Sequence, residues 1–178
     1  MKIAIVDFDM TLFDTRQFVN EIIDNGEITK EDLYANLNKY TIHPQVVKQR
    51  MRMNDFMFRS GDRVIELLHT HYEMVILLTR SRYSSAWQKD QIEKSNLSHV
   101  VDEVIITERD KYLDILNIVD QYNPDSITFI NDNEVENKHI LEENQSNKTQ
   151  NFHLEVIEID NYSEGGFSIG DFLATIES

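Results

Sequence analysis

The chain has 178 residues, 40% of them hydrophobic and 28% charged, which suits one folded domain with a modest insertion. Its formal net charge of -15 disfavours binding to long nucleic acids or to an anionic membrane surface. The sequence contains no cysteine, which excludes disulfides, thiolate metal sites and cysteine nucleophiles. It opens on a strand pattern without a signal peptide, and no apolar run reaches the ~20 residues of a membrane helix. We therefore expect a cytoplasmic protein.

The first predicted element is a short buried strand at residues 3–6, which ends at two carboxylates, Asp7 and Asp9. Residues 15–59 differ from the first predicted element, because they contain helical patterns and no strand pattern. These patterns begin near Thr15, Thr29 and Pro44. The segment is predicted to be an inserted helical subdomain.

Strand and helix patterns alternate from residue 60 to the end of the chain. Strand patterns lie at residues 74–78, 104–106, 127–130 and 154–159, and helical patterns at residues 62–71, 84–95, 110–122, 134–143 and 168–176. In the helix at 110–122 we expect Leu113, Leu116 and Val119 to face the core. This order predicts an α/β fold, a Rossmann-like three-layer αβα sandwich around a central parallel sheet. The predicted core comprises residues 1–14 and 60–178.

Groups suited to phosphate chemistry lie at or near the ends of three predicted strands. Thr79 follows the second strand, and Asp132 follows the fourth, with Glu136 a turn later. Lys111 lies near the start of the helix before that strand. Parallel strands bring their carboxyl ends to one edge of a sheet, so these side chains are expected to converge with those of the first strand. Taken singly, each has an ordinary alternative as a turn residue, a helix cap or a solvated lysine.

In these residues the chain resembles the haloacid dehalogenase-like superfamily, most of whose members are phosphohydrolases. The run from Asp7 to Thr11 matches the first motif, Asp-x-Asp-x-Thr, and Thr79 matches the second. Lys111 matches the third, 21 positions before Asp132, which matches the fourth. Two positions depart from the usual pattern. Met10 stands where glycine is frequent, and the second acidic role of the fourth motif falls to either Glu136 or Asn133.

The resemblance implies a Mg²⁺-dependent phosphomonoesterase with a small all-helical cap at residues 15–59. Its substrate would be a small phosphorylated metabolite or nucleotide. Asp7 would be the nucleophile, and Asp9 the general acid and base. The metal ligands would be the Asp7 and Asp132 carboxylates and the Asp9 backbone carbonyl. Thr79 and Lys111 would hold the transferring phosphoryl group, and Arg80 and Arg82 are further candidates for substrate contact.

Two other functions remain open at the level of the sequence. A phosphatase acting on polynucleotide ends would use the same chemistry, although the acidic charge and the lack of a basic groove disfavour it. A non-catalytic binding or regulatory protein could keep the fold without turnover. Neither the physiological substrate nor the oligomeric state is indicated by the sequence.

Overall fold

A computed structural model of the chain describes residues 1–24, 53–59, 61–81, 85–147 and 151–177. Its strands are β1 (Lys2–Val6), β2 (Met74–Arg80), β3 (Glu103–Thr107), β4 (Ser126–Asn131) and β5 (His153–Glu158). Its helices are α1 (Thr15–Asp24), α2 (Gly61–His69), α3 (Ser85–Lys94), α4 (Lys111–Tyr122), α5 (Glu134–Ser146) and α6 (Ile169–Glu177), with short 3-10 turns at Met53–Phe56 and Leu97–His99. Within these ranges, no helix has the length and apolar character needed to cross a membrane.

The five strands form one parallel sheet in the order β3-β2-β1-β4-β5. The chain runs outward from β1 through β2 to β3, and then returns to place β4 on the other side of β1. The strand order therefore reverses between β1 and β4. In open α/β sheets, ligands bind in the crevice beyond the carboxyl ends of the strands at such a reversal. The predicted α/β fold class is confirmed.

The apolar run of β1 is explained by the layers on both sides of the sheet. Ile3 and Ile5 pack in a cluster with residues of α4 and α5, whereas Ala4 and Val6 pack in a second cluster with residues of α2 and α6. All four side chains are fully buried. A strand covered on both faces reads as a continuous apolar run rather than as an alternating one.

The predicted inward face of α4 is wrong at Leu113, whereas Leu116 and Val119 are partly buried and pack against the core as expected. Leu113 is 47% exposed, and the buried positions of this helix include Lys111, Asp114, Ile115 and Ile118. These positions follow the i, i+3, i+4, i+7 spacing of one helical face. The buried face is shifted away from Leu113 and includes Lys111, the first residue of the helix, which has carboxylate partners in the core.

The segment at residues 15–59 is described only at its two ends. Phe13 bridges to Met57, and Phe18 and Phe56 pack with Phe13 in an aromatic cluster, so the segment leaves and re-enters the core at neighbouring points. The predicted helix that begins near Thr29 lies outside the described residues, as does most of the one that begins near Pro44. The small helical cap at residues 15–59 stays a prediction.

Candidate active site

The carboxyl ends of β1, β2 and β4 and the first turns of α4 and α5 surround a small polar cavity of about 50 Å³. It is lined by Asp7, Asp9, Thr79, Arg80, Lys111, Asp132, Asn133 and Glu136. The structure thus brings together the candidate residues taken from the sequence. Arg82 is the exception, since it lies outside the described residues.

The turn after β1 places the two aspartates at this cavity. The Asp7 amide donates to the Ile130 carbonyl at 2.9 Å, which continues the pairing of β1 with β4 by one residue. Phe8 is fully buried and stacks on Phe13, so the residue between the aspartates anchors them to the core. Met10 then adopts a left-handed conformation with φ of 64°, which reverses the chain. Glycine tolerates such a φ more easily than a residue with a side chain, which explains why glycine is frequent at this position of the first motif.

The Lys111 ammonium lies at the centre of the site and is 2% exposed. Its Nζ is 3.0 Å from Asp7 Oδ1 and 2.9 Å from Glu136 Oε2, and it donates to Asn131 Oδ1 at 3.3 Å. Burial alone would lower the pKa of Lys111, but the carboxylates of Asp7 and Glu136 outweigh it, so the pKa is raised. The lysine is therefore a permanent buried positive charge beside Asp7.

Glu136 contacts two cations. Its Oε1 is 3.1 Å from the Arg80 guanidinium, and its Oε2 is 2.9 Å from Lys111 Nζ. Asn133 instead caps α5, where its side-chain oxygen accepts from the Glu136 amide at 3.1 Å. Of the two residues that the sequence left open, Glu136 is the one that contacts the charged side chains of the cavity.

The Asp7 and Asp132 carboxylates are both withdrawn from solvent and interact with each other. Burial raises the pKa of Asp132 to about 6, and the nearby charge of Asp7 adds to the effect. Burial also raises the pKa of Asp7, against the opposing influence of Lys111. Asp7 Oδ1 is buried without a hydrogen bond of good geometry, and Asp132 Oδ1 accepts one from Thr11 at 3.3 Å. Like charges in such a site favour a bound cation.

A divalent cation fits the donors and the charge of this cavity. Its lining includes four carboxylates and two cationic side chains, which leaves a formal charge of -2. No group of three or more His, Cys, Asp or Glu side chains that could hold a metal occurs among the described residues. Mg²⁺ suits such a site, because it is usually bound by one or two carboxylates and keeps several waters. Asp7 and Asp132 are the carboxylates that could hold it, with the Asp9 backbone carbonyl as a third oxygen.

Two buried amides at the site were missed by the sequence reasoning. Gln88 on α3 donates to Asp9 Oδ2 at 2.8 Å and to Thr79 Oγ1 at 3.4 Å. Asn131, the last residue of β4, links Lys111 to Glu136. A signal for Gln88 existed in the sequence, since α3 carries the polar residues Gln88 and Gln91 at buried positions, next to the apolar Ile92. Polar residues at core positions of a helix beside a strand end often belong to a functional site.

No family model and no curated protein matches the sequence of this chain. Solved structures do match its fold. A haloacid dehalogenase-like hydrolase from Burkholderia xenovorans superposes with a TM-score of 0.68 at 14% identity, over 99% of this chain and 98% of the other. A haloacid dehalogenase-like family hydrolase from Xanthomonas campestris gives 0.57 at 12% identity, over 99% and 95% of the two chains.

A protein from Thermotoga maritima, assigned as a β-phosphoglucomutase, superposes with a TM-score of 0.59 at 12% identity, over 99% of each chain. At such low identity a likeness establishes the fold and not the activity. The chain therefore has the haloacid dehalogenase-like fold, as the sequence motifs predicted.

Proposed function

We propose that this chain is a Mg²⁺-dependent phosphomonoesterase that acts on a small phosphorylated metabolite or nucleotide through an aspartyl-phosphate on Asp7. One observation carries the proposal. A buried carboxylate from the end of β1, a buried ammonium from α4 and a buried threonine from β2 line the same small cavity. Phosphoryl transfer needs a nucleophile, a fixed positive charge and donors to the phosphoryl oxygens within one site. The hydrolases among the structural neighbours support the same reaction class.

The metal would be held by Asp7, Asp132 and the Asp9 backbone carbonyl. When bound, Mg²⁺ neutralises carboxylate charge and allows a dianionic phosphate to approach. Lys111 supports the same task from the protein side, because its ammonium is fixed by two carboxylates and lines the cavity.

In the first half-reaction, a carboxylate oxygen of Asp7 attacks phosphorus and the bond to the ester oxygen breaks. Asp9 donates its proton to that leaving oxygen. The Thr79 hydroxyl and the Lys111 ammonium hold the phosphoryl oxygens during the transfer.

In the second half-reaction, water replaces the alcohol. Asp9, now ionised, takes a proton from a water molecule as the water attacks phosphorus. The bond between phosphorus and Asp7 breaks, inorganic phosphate leaves, and Asp9 is again protonated. No group outside the chain, water and the metal is required.

The size of the cavity favours recognition of the phosphoryl group over recognition of the whole substrate. Its volume of about 50 Å³ is far below the roughly 300–1,000 Å³ of pockets that enclose drug-sized ligands. The leaving group would extend beyond the cavity lining. We therefore expect hydrolysis of several small phosphate esters, including aryl phosphates.

Asp7→Asn tests the proposal, because it removes the nucleophile and keeps the shape of the side chain. We expect the variant to fold and to lose at least about a thousandfold in kcat with an aryl phosphate and Mg²⁺. Asp120→Asn on the exposed face of α4 is the matched control and should keep full activity.

Wild-type protein quenched in acid during turnover should carry a phosphate that hydroxylamine releases. Near wild-type hydrolysis by Asp7→Asn would refute the nucleophile. Mg²⁺ binding without phosphate release from metabolites, nucleotides or oligonucleotides would indicate a binding protein instead.

A further inference from the structure

We propose that Gln88 is a positioning residue that orients both the general acid Asp9 and the phosphoryl-binding hydroxyl of Thr79. The inference rests on the proposed function and adds a residue that lies outside the sequence motifs. Gln88 belongs to α3, is 5% exposed, and reaches the ends of two different strands with one amide. Its Nε2 is 2.8 Å from Asp9 Oδ2 and 3.4 Å from Thr79 Oγ1.

The chemistry of the partners fixes which end of the amide faces them. In the ionised form that Asp9 takes after the first half-reaction, its carboxylate can only accept hydrogen bonds, so the Gln88 atom beside Oδ2 is then the nitrogen. A primary amide nitrogen carries two N–H groups. One of them bonds the carboxylate, and the other is directed to the threonine hydroxyl.

This arrangement determines in which hydrogen bond the Thr79 hydroxyl accepts and in which it can donate. A hydroxyl has one hydrogen to donate, and here its oxygen accepts from Gln88. Its own hydrogen is therefore left for another acceptor. Thr79 lines the cavity, where a phosphoryl oxygen is the acceptor that the proposed reaction supplies. Gln88 thus makes Thr79 a donor toward the substrate.

The same amide fixes the Asp9 carboxylate. Thr15 Oγ1 donates to Asp9 Oδ1 at 2.6 Å while Gln88 donates to Oδ2, so each oxygen has a donor and the plane of the group is held from two sides. A general acid must be oriented toward the leaving oxygen, because even a small displacement of its carboxyl group lowers the reaction rate strongly. Because Thr15 belongs to α1 and Gln88 to α3, the carboxylate is held between two separate helices.

The test compares Gln88→Met, which has no donors, and Gln88→Glu, which keeps the shape but replaces the amide nitrogen by an acceptor. Gln91→Met is the matched control, since it makes the same change at another buried position of α3. An alkyl phosphate, whose leaving group needs a proton, is compared with an aryl phosphate that leaves readily. The comparison uses kcat/KM, which reports the first half-reaction, where Asp9 is the acid. We expect both Gln88 variants to lose about tenfold or more in kcat/KM on the alkyl ester and less than about threefold on the aryl ester. Inhibition by inorganic phosphate should weaken, because the Thr79 hydroxyl is no longer oriented as a donor.

Equal losses on the two esters, or losses no larger than those of Gln91→Met, would overturn the role of Gln88. A merely structural residue would lower the stability without changing the ratio of the two kcat/KM values. If Gln88→Met does not unfold cooperatively, Gln88→Asn supplies the comparison, because it retains the amide but shortens its reach. Activity that persists in Asp7→Asn would instead refute the proposed function, whatever the Gln88 variants do.

Discussion

Lys111 Nζ lies 3.0 Å from Asp7 Oδ1, and both side chains are almost wholly buried. Glu136 completes the group at 2.9 Å from the same ammonium. One buried cation therefore contacts two buried carboxylates, of which Glu136 also contacts the half-exposed Arg80 guanidinium. Removing one partner of a buried ion pair costs far more than removing an exposed pair, because an uncompensated charge stays in the core.

Lys111→Met should therefore destabilise the protein by about 3–5 kcal/mol, measured by urea unfolding without metal. Lys138→Met is the control, since Lys138 is 77% exposed and its pair with Glu142 lies on the surface of α5. That variant should change the free energy of unfolding by no more than about 0.5 kcal/mol. A loss below about 1 kcal/mol in Lys111→Met would mean that Asp7 and Glu136 do not depend on the lysine.

Mg²⁺ should raise the melting temperature of the wild-type protein, because an ion bound only by the native state adds to the free energy of unfolding. At a concentration of 100 times Kd the gain is about 2.7 kcal/mol. Asp132→Asn should remove most of this shift, and without metal it should melt at a higher temperature than wild type near neutral pH. The second effect follows because the raised pKa of Asp132 means that its ionised form is unfavourable in the metal-free protein. Asp120→Asn should behave like wild type, and an undiminished Mg²⁺ shift in Asp132→Asn would exclude Asp132 as a ligand.

The sequence predicted the sheet and the main members of the site because both depend on local patterns. Apolar runs that end in Asp7, Thr79 and Asp132 identify buried parallel strands and the edge where their ends meet. Apolar spacing placed Leu116 and Val119 of α4 against the core but misplaced Leu113, which is exposed. The buried face of this helix includes Lys111, whose partners are the carboxylates of Asp7 and Glu136, and apolar spacing does not identify such a residue.

Contacts between distant elements account for what the sequence did not reveal. Gln88 bonds Asp9 across 79 positions of the chain, and Asn161 donates to the carbonyls of Met10 and Thr11 across about 150. No local spacing encodes such pairs, because they depend on how helices and loops pack on the finished sheet. The two glutamines at buried positions of α3, Gln88 and Gln91, were the available clue.

The turn at Met10 should accept the substitution Met10→Gly but be destabilised by Met10→Val. Its φ of 64° is unfavourable for a side chain and most unfavourable for a β-branched one, while the Asn161 amide holds its carbonyl at 2.9 Å. Met10→Val should cost about 1–3 kcal/mol in the free energy of unfolding. Met10→Gly should change it by less than about 1 kcal/mol, because relief of the strained φ offsets the greater chain entropy of glycine. Equal effects in urea unfolding would show that the turn relaxes to accept valine.

The stability of the protein should depend on pH through the ion pair between His139 and Asp110, which links α5 to the residue that caps α4. The hydrogen bond and charge of Asp110 raise the pKa of His139. The pKa of Asp110 is lowered, because bonds from the Tyr112 amide and His139 outweigh the effect of burial. The histidine contribution is thus complete below its unfolded pKa of about 6.5 and is lost as pH rises through the raised value. The aspartate contribution is lost only as pH falls through its lowered pKa.

His139→Gln should therefore destabilise the protein near pH 5.5 by at most about 1 kcal/mol, since the pair is partly exposed. Near pH 9 the same variant should match wild type, because the histidine is then neutral. The measurement is urea unfolding of both proteins at the two pH values. His71→Gln, at an exposed histidine in the turn after α2, is the control and should show no such difference. A deficit of the same size at both pH values would mean that His139 contributes by packing rather than by charge.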